Sequence, residues 1–287
     1  ANTNPSYEEH YAMNIPVGTP SSSPAGWIFP ALFKVSDTWV LLTEAGISAD
    51  FHASRLQANS DNGIYTIAGP QDAERISHQG VKGALVAQAK TNFHSPWRII
   101  LAGGLDTIIA SSIGTDLADP AGAAMEFVKP GIAAWSWALL KDDATNYTTQ
   151  VEFIDYAAKM GWPYALIDAE WDKRIGYEKL SELVSYAQVK KVGIWVWYNS
   201  SGDWNTTPMT PKSVLIDKPQ RRAEFLRLQK MGIKGVKIDF FPGDGQSVMA
   251  YYHELLTDAA DFNLMVNFHG TTLPRGLQRT YPNLLTA

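Results

Sequence analysis

The feature that most constrains this 287-residue sequence is a repeated alternation of short apolar runs and longer amphipathic stretches in its second half. The amphipathic stretches predict helices at 148–160, 177–191, 219–231 and 246–261. The apolar runs around them predict strands at 131–138, 164–171, 193–200, 235–242 and 263–270. The first three helices each end near a glycine, as helices often do. Serial repetition of strand and helix indicates a parallel sheet, either an open doubly wound sheet or a (β/α)8 barrel.

Two further observations favour the barrel. No glycine-rich phosphate loop follows the first predicted strand, which weakens the nucleotide-binding alternative. Polar residues cluster at the C-terminal ends of the strands, where the active sites of barrels lie. Residues 283–287 look like the start of a sixth strand, and a barrel does not close on so few strands. We therefore expect residues 129–287 to be the first part of a catalytic (β/α)8 barrel that is truncated at strand 6.

Residues 1–128 have a different character, with short apolar or alternating runs separated by Pro, Gly, Asn and Ser. The runs predict strands at 27–33, 38–44, 63–67 and 96–101, and their spacing is typical of an antiparallel sandwich. Because so few strands do not complete a sandwich, we expect this segment to be part of an N-terminal β-sandwich domain. The chain starts at an alanine without a signal segment, so we expect its N-terminus to be processed or cut.

Composition and charge exclude several classes of function. The net charge of -5, without a stripe of Lys and Arg, argues against nucleic acid as a partner. The absence of Cys excludes disulfides and thiolate metal sites. No apolar run is long enough for a transmembrane helix, so no membrane span is expected. The 10 Trp residues are numerous for this length; they suit stacking on sugar rings, although core filling is their commoner use.

The strand at 235–242 carries the strongest candidates for chemistry. Strand alternation puts Lys237, Asp239 and Phe241 on one face, and the apolar residues between them face the helices. Burying two charges is costly unless they are paired or functional. We interpret Asp239 as catalytic and Lys237 as substrate-binding, and the alternative is a structural Lys–Asp ion pair.

The neighbouring strands direct polar and aromatic side chains to the same mouth. By the same alternation, the residues that share a face are Asp168 with Glu170, Trp195 with Trp197 and Asn199, and Asn267 with His269. Carboxylates, amides, an amine, an imidazole and indoles are the mixture found in sugar sites, because hydroxyl groups need hydrogen bonds and the ring needs an aromatic face. We predict that all of these except Trp195 bind substrate. Trp195 suits the core better, and His269 alone is equally consistent with a core histidine.

Several short segments carry a resemblance to a known family. They are LLTEAG (41–46), SPWR (95–98), KPG (129–131), WSW (135–137), IDAEW (167–171), GVKIDFF (235–241), NFHG (267–270) and RTYPN (279–283). Together they resemble glycoside hydrolase family 97, a group of bacterial α-glucosidases and α-galactosidases. The resemblance implies a β-sandwich, a catalytic barrel and a C-terminal β-domain, and it implies a periplasmic or secreted protein.

The resemblance also implies a mechanism. Retaining members of the family carry an Asp on the fourth barrel strand, where Asp239 stands, whereas inverting members lack it and use a Glu elsewhere, including on the fifth strand. Here the fifth strand has Asn267 and His269. The resemblance is therefore to the retaining, α-galactosidase-like branch, in which Asp239 forms a covalent glycosyl-enzyme. The substrate would be an oligosaccharide or a small α-galactoside, and the acid/base Glu would lie beyond Ala287, so the chain alone is expected to be inactive.

A calcium ion near the substrate is a further property that the resemblance implies. The family holds this ion largely with Glu side chains, and Glu44 is the candidate ligand in this chain. A solvated carboxylate at the end of a strand is the alternative interpretation of Glu44. Calcium takes six to eight oxygen ligands, so we expect weak or no binding by this chain and calcium in the intact enzyme.

Three alternative functions remain open. The first is an α-glucosidase with the same nucleophile, because galactose and glucose differ only at C4. The second is a non-catalytic carbohydrate-binding protein, which has no need of a carboxylate under the anomeric carbon. The third is a Schiff-base lyase that uses Lys237, which requires an uncharged amine and is opposed by the nearby Asp239.

Overall fold

The computed structural model of the protein describes residues 12–88 and 94–287, and its N-terminal part is rich in short antiparallel strands. The strands are β1 (Trp27–Ile28), β2 (Ala31–Val35), β3 (Thr38–Ala45), β4 (Arg55–Leu56), β5 (Ile67–Ala68), β6 (Ser77–His78), β7 (Val81–Lys82) and β8 (Trp97–Gly103). One sheet has the order β2-β3-β8, a second has the order β1-β4-β5, and β6 pairs with β7. The strands predicted at 38–44 and 96–101 are confirmed, whereas the run at 63–67 contributes only its last residue to β5.

Two short helices follow β8, α1 (Leu105–Ala110) and α2 (Ile113–Asp116), in a part of the chain where the sequence predicts only strands. Their lengths of 6 and 4 residues are too short for a helical period to emerge from the sequence. Residues 1–11 and 89–93 of the predicted sandwich lie outside the described residues.

The second half of the chain builds one parallel sheet of six strands. They are β9 (Ala133–Trp135), β10 (Tyr164–Ile167), β11 (Gly193–Asn199), β12 (Gly235–Asp239), β13 (Met265–Phe268) and β14 (Leu284–Thr286). The strands neighbour one another in the order of the sequence, without the reversal of a doubly wound sheet. The predicted parallel sheet is therefore confirmed, and its form is that of an incomplete barrel wall.

The helices lie between these strands in sequence. They are α3 (Ser136–Leu140), α4 (Tyr147–Met160), α5 (Trp171–Arg174), α6 (Gly176–Val189), α7 (Lys218–Met231), α8 (Gln246–Asp261) and α9 (Leu277–Thr280), with a 3-10 turn at Asp142–Ala144. The four helices predicted from periodicity agree with α4, α6, α7 and α8 to within two residues at each end. Gly161 and Gly232 end α4 and α7 in the left-handed conformation. Among the described residues, no helix has both the length and the apolar character needed to cross a membrane.

The two faces of the parallel sheet have different surroundings. Val196, Val236 and Ile238 point to one face and pack with the helices in the main apolar core. On the opposite face, Trp195 packs with residues of the neighbouring strands in a smaller cluster towards the strand N-terminal ends. The residues after this cluster on the same face are polar, and they form the candidate site.

Candidate active site

Asp239 is the last residue of β12 and lies on the face of the sheet opposite to the helices. Its neighbours Val236 and Ile238 are fully buried in the core between sheet and helices. Asp239 itself is 4% exposed, and Lys237 on the same face is 3% exposed. The structure thus places both charged groups on the face that strand alternation predicts.

Four groups surround the carboxylate of Asp239. Oδ1 accepts a hydrogen bond from the backbone N–H of Phe240 at 2.9 Å. Oδ2 accepts from the indole Nε1 of Trp197 at 3.1 Å and lies 3.1 Å from Nδ1 of His269. The ammonium nitrogen of Lys237 lies 3.8 Å from the same oxygen. Both oxygens are therefore oriented by hydrogen bonds, and two of the neighbours can carry positive charge.

These neighbours determine the charge of the buried carboxylate. Burial by itself raises the pKa of Asp239, because a charge is less stable away from water. The hydrogen bond and charge of His269, the charge of Lys237 and the indole of Trp197 outweigh burial and bring the pKa below its usual value. Asp239 is consequently an ionised carboxylate at neutral pH, which is the state that a nucleophile requires.

Lys237 is held more closely by Asp168 than by Asp239. Its ammonium nitrogen lies 3.0 Å from Oδ2 of Asp168 and 4.3 Å from the centre of the Trp135 ring. The same Asp168 oxygen accepts from the indole Nε1 of Trp135 at 2.7 Å. The sequence left open a structural ion pair between Lys237 and Asp239. In the structure the closer ion pair is between Lys237 and Asp168, and Lys237 lies between the two carboxylates.

The site brings together most of the residues predicted to bind substrate. Asp168, Lys237, Trp197 and His269 form one connected group with Asp239 through the contacts given above. Asn267 is the register partner of Lys237 on β13 and is partly exposed on the same face. The side chain of His269 is 39% exposed, so the predicted alternative of a core histidine does not apply.

Glu170 does not belong to this group, and the prediction that it shares a face with Asp168 is wrong. Strand β10 ends at Ile167, and Glu170 has a left-handed backbone with φ of 69° at the start of α5. Its Oε1 accepts from the backbone N–H of Thr210 at 2.8 Å. The period-two alternation therefore stops before Glu170, whose carboxylate fastens the loop after β11.

Asn199 is on the predicted strand but its amide group is used for another purpose. The side-chain nitrogen donates to the carbonyl oxygen of Met209 at 3.1 Å, and the side-chain oxygen accepts from the backbone N–H of Ser201 at 3.0 Å. The residue is fully buried. These contacts make Asn199 a brace for the loop after β11, and its role in binding substrate stays a prediction.

Glu44 has partners that do not fit a calcium ligand. Its Oε1 accepts from the backbone N–H of Ser54 and from Nε of Arg275, each at 2.7 Å, and its Oε2 accepts from Arg98. Among the described residues, no group of three or more His, Cys, Asp or Glu side chains could hold a metal. Calcium needs six to eight oxygens, whereas this carboxylate is 1% exposed and accepts from two arginines and a backbone N–H. The alternative of a solvated carboxylate is wrong, because Glu44 is buried, whereas its role as a calcium ligand stays a prediction.

The site also contains an aromatic pair that strand alternation does not predict. The rings of Trp135 and Trp137 stack with centroids 5.2 Å apart and planes inclined by 18°. Trp135 ends β9, and both rings lie over the ammonium group of Lys237. Trp137 lies in α3, so strand alternation does not place it, and the available signal was the pair of tryptophans at the end of the first predicted barrel strand.

Comparison with known proteins identifies the family. Residues 129–287 match Glycoside hydrolase 97, and residues 1–120 match Glycosyl-hydrolase 97 N-terminal. A probable retaining alpha-galactosidase of Streptomyces bingchenggensis is 32% identical over 282 residues, which cover 93% of this chain and 40% of that protein. The retaining alpha-galactosidase of Bacteroides thetaiotaomicron is 30% identical over 209 residues, which cover 66% of this chain and 29% of that protein.

A solved structure described as a beta-arabinopyranosidase is also similar, with a TM-score of 0.90 and 41% identity over 98% of this chain and 44% of that one. The chain therefore spans less than half the length of each of these relatives. The match to the catalytic family covers more than half of the chain, and the match to the N-terminal family precedes it in the expected order. The chain belongs to glycoside hydrolase family 97.

Proposed function

We propose that the protein is a retaining glycoside hydrolase that acts on α-galactosides, with Asp239 as its nucleophile. The observation that carries this proposal is the buried, ionised carboxylate of Asp239 at the C-terminal end of a barrel strand, oriented by donors to both oxygens. A nucleophile must be charged and fixed in position before the substrate arrives. The two relatives named as retaining alpha-galactosidases support the substrate class.

The reaction would proceed by double displacement. A carboxylate oxygen of Asp239 forms a bond to the anomeric carbon while the bond from that carbon to the leaving oxygen breaks and an acid gives its proton to that oxygen. Water then attacks the same carbon, the ester bond to Asp239 breaks, and the water proton returns to the acid. The resemblance to the family puts the acid/base Glu in sequence beyond Ala287, and we expect it about 5–5.5 Å from Asp239.

The neighbours of Asp239 have proposed roles in binding the sugar. An ammonium group has three donors, and Lys237 directs one of them to Asp168. The remaining donors suit sugar hydroxyl groups, and the indoles of Trp135 and Trp197 suit the apolar side of the ring. A carbohydrate-binding protein without turnover does not account for an oriented, ionised carboxylate beside these groups.

A second substrate is favoured by a specific observation, the 41% identity to a beta-arabinopyranosidase. β-L-Arabinopyranosides share the configuration of α-D-galactopyranosides at ring carbons 1 to 4 and lack the hydroxymethyl group on C5. Both substrates fit the same nucleophile and differ only in the space required beside C5. An α-glucosidase, which needs the opposite configuration at C4, is the remaining alternative within the family.

The choice of substrate is tested by comparing kcat/KM for the p-nitrophenyl α-D-galactoside, β-L-arabinopyranoside and α-D-glucoside in the complete protein. We expect kcat/KM for the α-D-galactoside to exceed that for the α-D-glucoside by at least about tenfold, because the hydroxyl at C4 meets a polar site. A preference for the glucoside contradicts the proposal. A preference for the arabinoside selects the second substrate and retains the mechanism.

The role of Asp239 is tested by Asp239→Gly in the complete protein. We expect hydrolysis of natural α-galactosides to be abolished, and external azide to restore turnover on an activated substrate and give the β-azide. Asp172→Gly, a carboxylate on α5 that binds Thr210, serves as the control and should show no azide effect. Proton NMR of the first-formed sugar decides the stereochemistry: the α-anomer agrees with retention, and an initial β-anomer from the wild type overturns the assignment.

Four further proposals concern the whole protein. We propose that residues 1–128 belong to a β-sandwich domain and that residues 129–287 begin a barrel that closes in the complete protein. The expectation that the intact enzyme needs calcium stays a prediction, for which Glu44 as placed here offers no support. Location in the periplasm or outside the cell also stays a prediction.

A further inference from the structure

The loop after β12 is gripped by the N-terminal part of the chain. Asp244 follows Asp239 by five residues and is fully buried. Its backbone N–H donates to Oε2 of Glu74 at 3.0 Å, and its carbonyl oxygen accepts from the backbone N–H of Ala53 at 2.9 Å. Its side-chain Oδ2 accepts from Nη2 of Arg55 at 3.0 Å. Three polar groups of this barrel residue are thus held by partners from the N-terminal part.

Arg55 is the centre of this grip. Its guanidinium group is fully buried and forks onto Glu74, with Nη1 2.8 Å from Oε1 and Nη2 bonded to Oε2. The same Nη2 bonds to Asp244. Burying a guanidinium with two carboxylates carries a desolvation penalty, whereas its planar fork fixes the geometry of both partners. The arrangement therefore provides precise placement of the loop.

Two glycines show how closely the loop lies against Glu74. A Cβ atom on Gly245 would come within 2.2 Å of the carbonyl oxygen of Glu74. A Cβ atom on Gly243, which has φ of 140°, would come within 2.6 Å of the Glu74 carboxylate. The backbone of residues 243–245 therefore reaches its position only because it carries no side chain at these two residues.

The same loop holds the carboxylate of Asp239 at its other end. Phe240 has a left-handed backbone with φ of 70°, and its N–H donates to Oδ1 of Asp239. Its carbonyl oxygen accepts from Nε1 of Trp204 at 3.0 Å, and the N–H of Phe241 donates to the carbonyl oxygen of Gly270 at 3.0 Å. A non-glycine residue keeps this conformation only where its surroundings impose it. The strand fixes one end of the loop, and the grip on Asp244 fixes the other.

We propose that Arg55 and Glu74 are positioning residues for the carboxylate of Asp239. By holding Asp244 they keep Phe240 in its left-handed conformation, so that its N–H stays on the carboxylate oxygen. The N-terminal part thereby takes part in preparing the nucleophile without touching the substrate. This inference rests on the proposed role of Asp239 as the nucleophile.

The test replaces the guanidinium group of Arg55 and keeps its positive charge. Arg55→Lys retains a cation but not the double contact with Glu74 and Asp244. The matched control is Arg221→Lys, which removes an equally buried guanidinium from the pair with Asp258 on the helix side of the barrel. Both variants of the complete protein should unfold at a lower temperature. Only Arg55→Lys should also change kcat and the pH dependence of kcat/KM.

For Arg55→Lys we expect kcat to fall about 10- to 100-fold with less than about a threefold change in KM, because a small displacement of a reacting group is costly. The acid limb of kcat/KM should move to higher pH by about half a unit to one unit, since the N–H of Phe240 stabilises the charged carboxylate. Arg221→Lys should keep the wild-type kcat and acid limb. Equal losses in the two variants, with unmoved acid limbs, overturn the proposal.

A second pair of variants leaves every charged side chain in place. Gly245→Ala forces the loop away from Glu74, whereas Gly131→Ala places a Cβ atom 2.2 Å from Cγ of Pro163, before the first barrel strand. Neither glycine has a positive φ, so alanine introduces no φ strain at either position. The two variants therefore differ in which neighbour the new Cβ atom meets. We expect the acid limb to shift in Gly245→Ala alone. A shift of similar size in Gly131→Ala would mean that any destabilisation produces it.

The two proposals fail in different ways. Loss of azide rescue in Asp239→Gly, or release of the β-anomer by the wild type, removes the proposed nucleophile and the inference with it. Successful rescue together with identical pH profiles for Arg55→Lys and Arg221→Lys removes only the positioning role.

Discussion

At the scale of residues, the charge of Asp239 depends on neighbours of two kinds. Lys237 is shared with Asp168, which lies closer to its ammonium group. His269 is partly exposed, and its Nδ1 lies 3.1 Å from Oδ2 of Asp239, closer than the ammonium nitrogen of Lys237 at 3.8 Å. The imidazole therefore contributes more than the ammonium to lowering the pKa of Asp239.

This difference predicts the effect of His269→Ala. His269 lowers the pKa of Asp239, so its removal should raise that pKa and move the acid limb of kcat/KM to higher pH. Activity should therefore be lost earlier as the pH falls. His253→Asn, which alters a histidine bonded to Tyr281 and to the backbone of Ile47, is the control. If the acid limb does not move in His269→Ala, His269 does not lower the pKa of Asp239.

The residues of the site differ in how well the sequence predicts them. Asp239, Lys237 and Asp168 follow from alternation, because each is on a strand or directly after one. Glu170 does not, because β10 ends at Ile167 and the period of two ends with it. The partners of Glu44 were out of reach for another reason: its contact with Arg275 joins residues 231 positions apart, and no local pattern encodes it.

At the scale of elements, the long helices are defined by signals at their ends. Asn146 accepts from the backbone N–H of Thr149 at the start of α4, and Asp217 accepts from that of Gln220 at the start of α7. Periodicity, caps and terminal glycines coincide there, which explains why their bounds were predictable. In contrast, β9 is shorter than predicted because α3 begins at Ser136, within an apolar run that gives no sign of a boundary.

The cap of α7 gives a prediction for stability. Asp217→Ala should lower the free energy of unfolding by about 1 kcal/mol, because the N–H of Gln220 loses its acceptor. Asp217→Asn should be close to wild type, since Asn caps equally well. Chemical denaturation measures both. A similar loss in the two variants would assign the effect to the negative charge near the helix N-terminus and contradict the cap.

At the scale of the whole molecule, the N-terminal part and the barrel wall are joined by buried ion pairs. Glu44 pairs with Arg275 after β13, and Arg55 pairs with Asp244 after β12. All four side chains are fully buried. Breaking such a pair leaves an uncompensated charge away from water, which costs much more than losing a surface pair.

We therefore expect Glu44→Gln to lower the free energy of unfolding of the complete protein by about 3–5 kcal/mol. Glu182→Gln, which breaks an exposed pair with Lys179, should cost less than about 1 kcal/mol. Both measurements are made with calcium and with a chelator. If the loss in Glu44→Gln disappears in the chelator, the carboxylate acts through calcium and its pairing with Arg275 is secondary.

The buried ion pairs between the N-terminal part and the barrel wall also bear on the order in which the chain folds during synthesis. Arg55 and Asp244 are 189 positions apart, and Glu44 and Arg275 are 231 positions apart. At a synthesis rate of about 5–20 residues per second, Arg55 and Glu44 wait roughly 10 to 45 seconds on the ribosome for their partners from the barrel wall. Until then, the surface that carries Arg55 and Glu44 lacks the barrel residues that cover it. The surface becomes dry only after β12 and β13 have been made, so the last step of docking is ordered by translation itself.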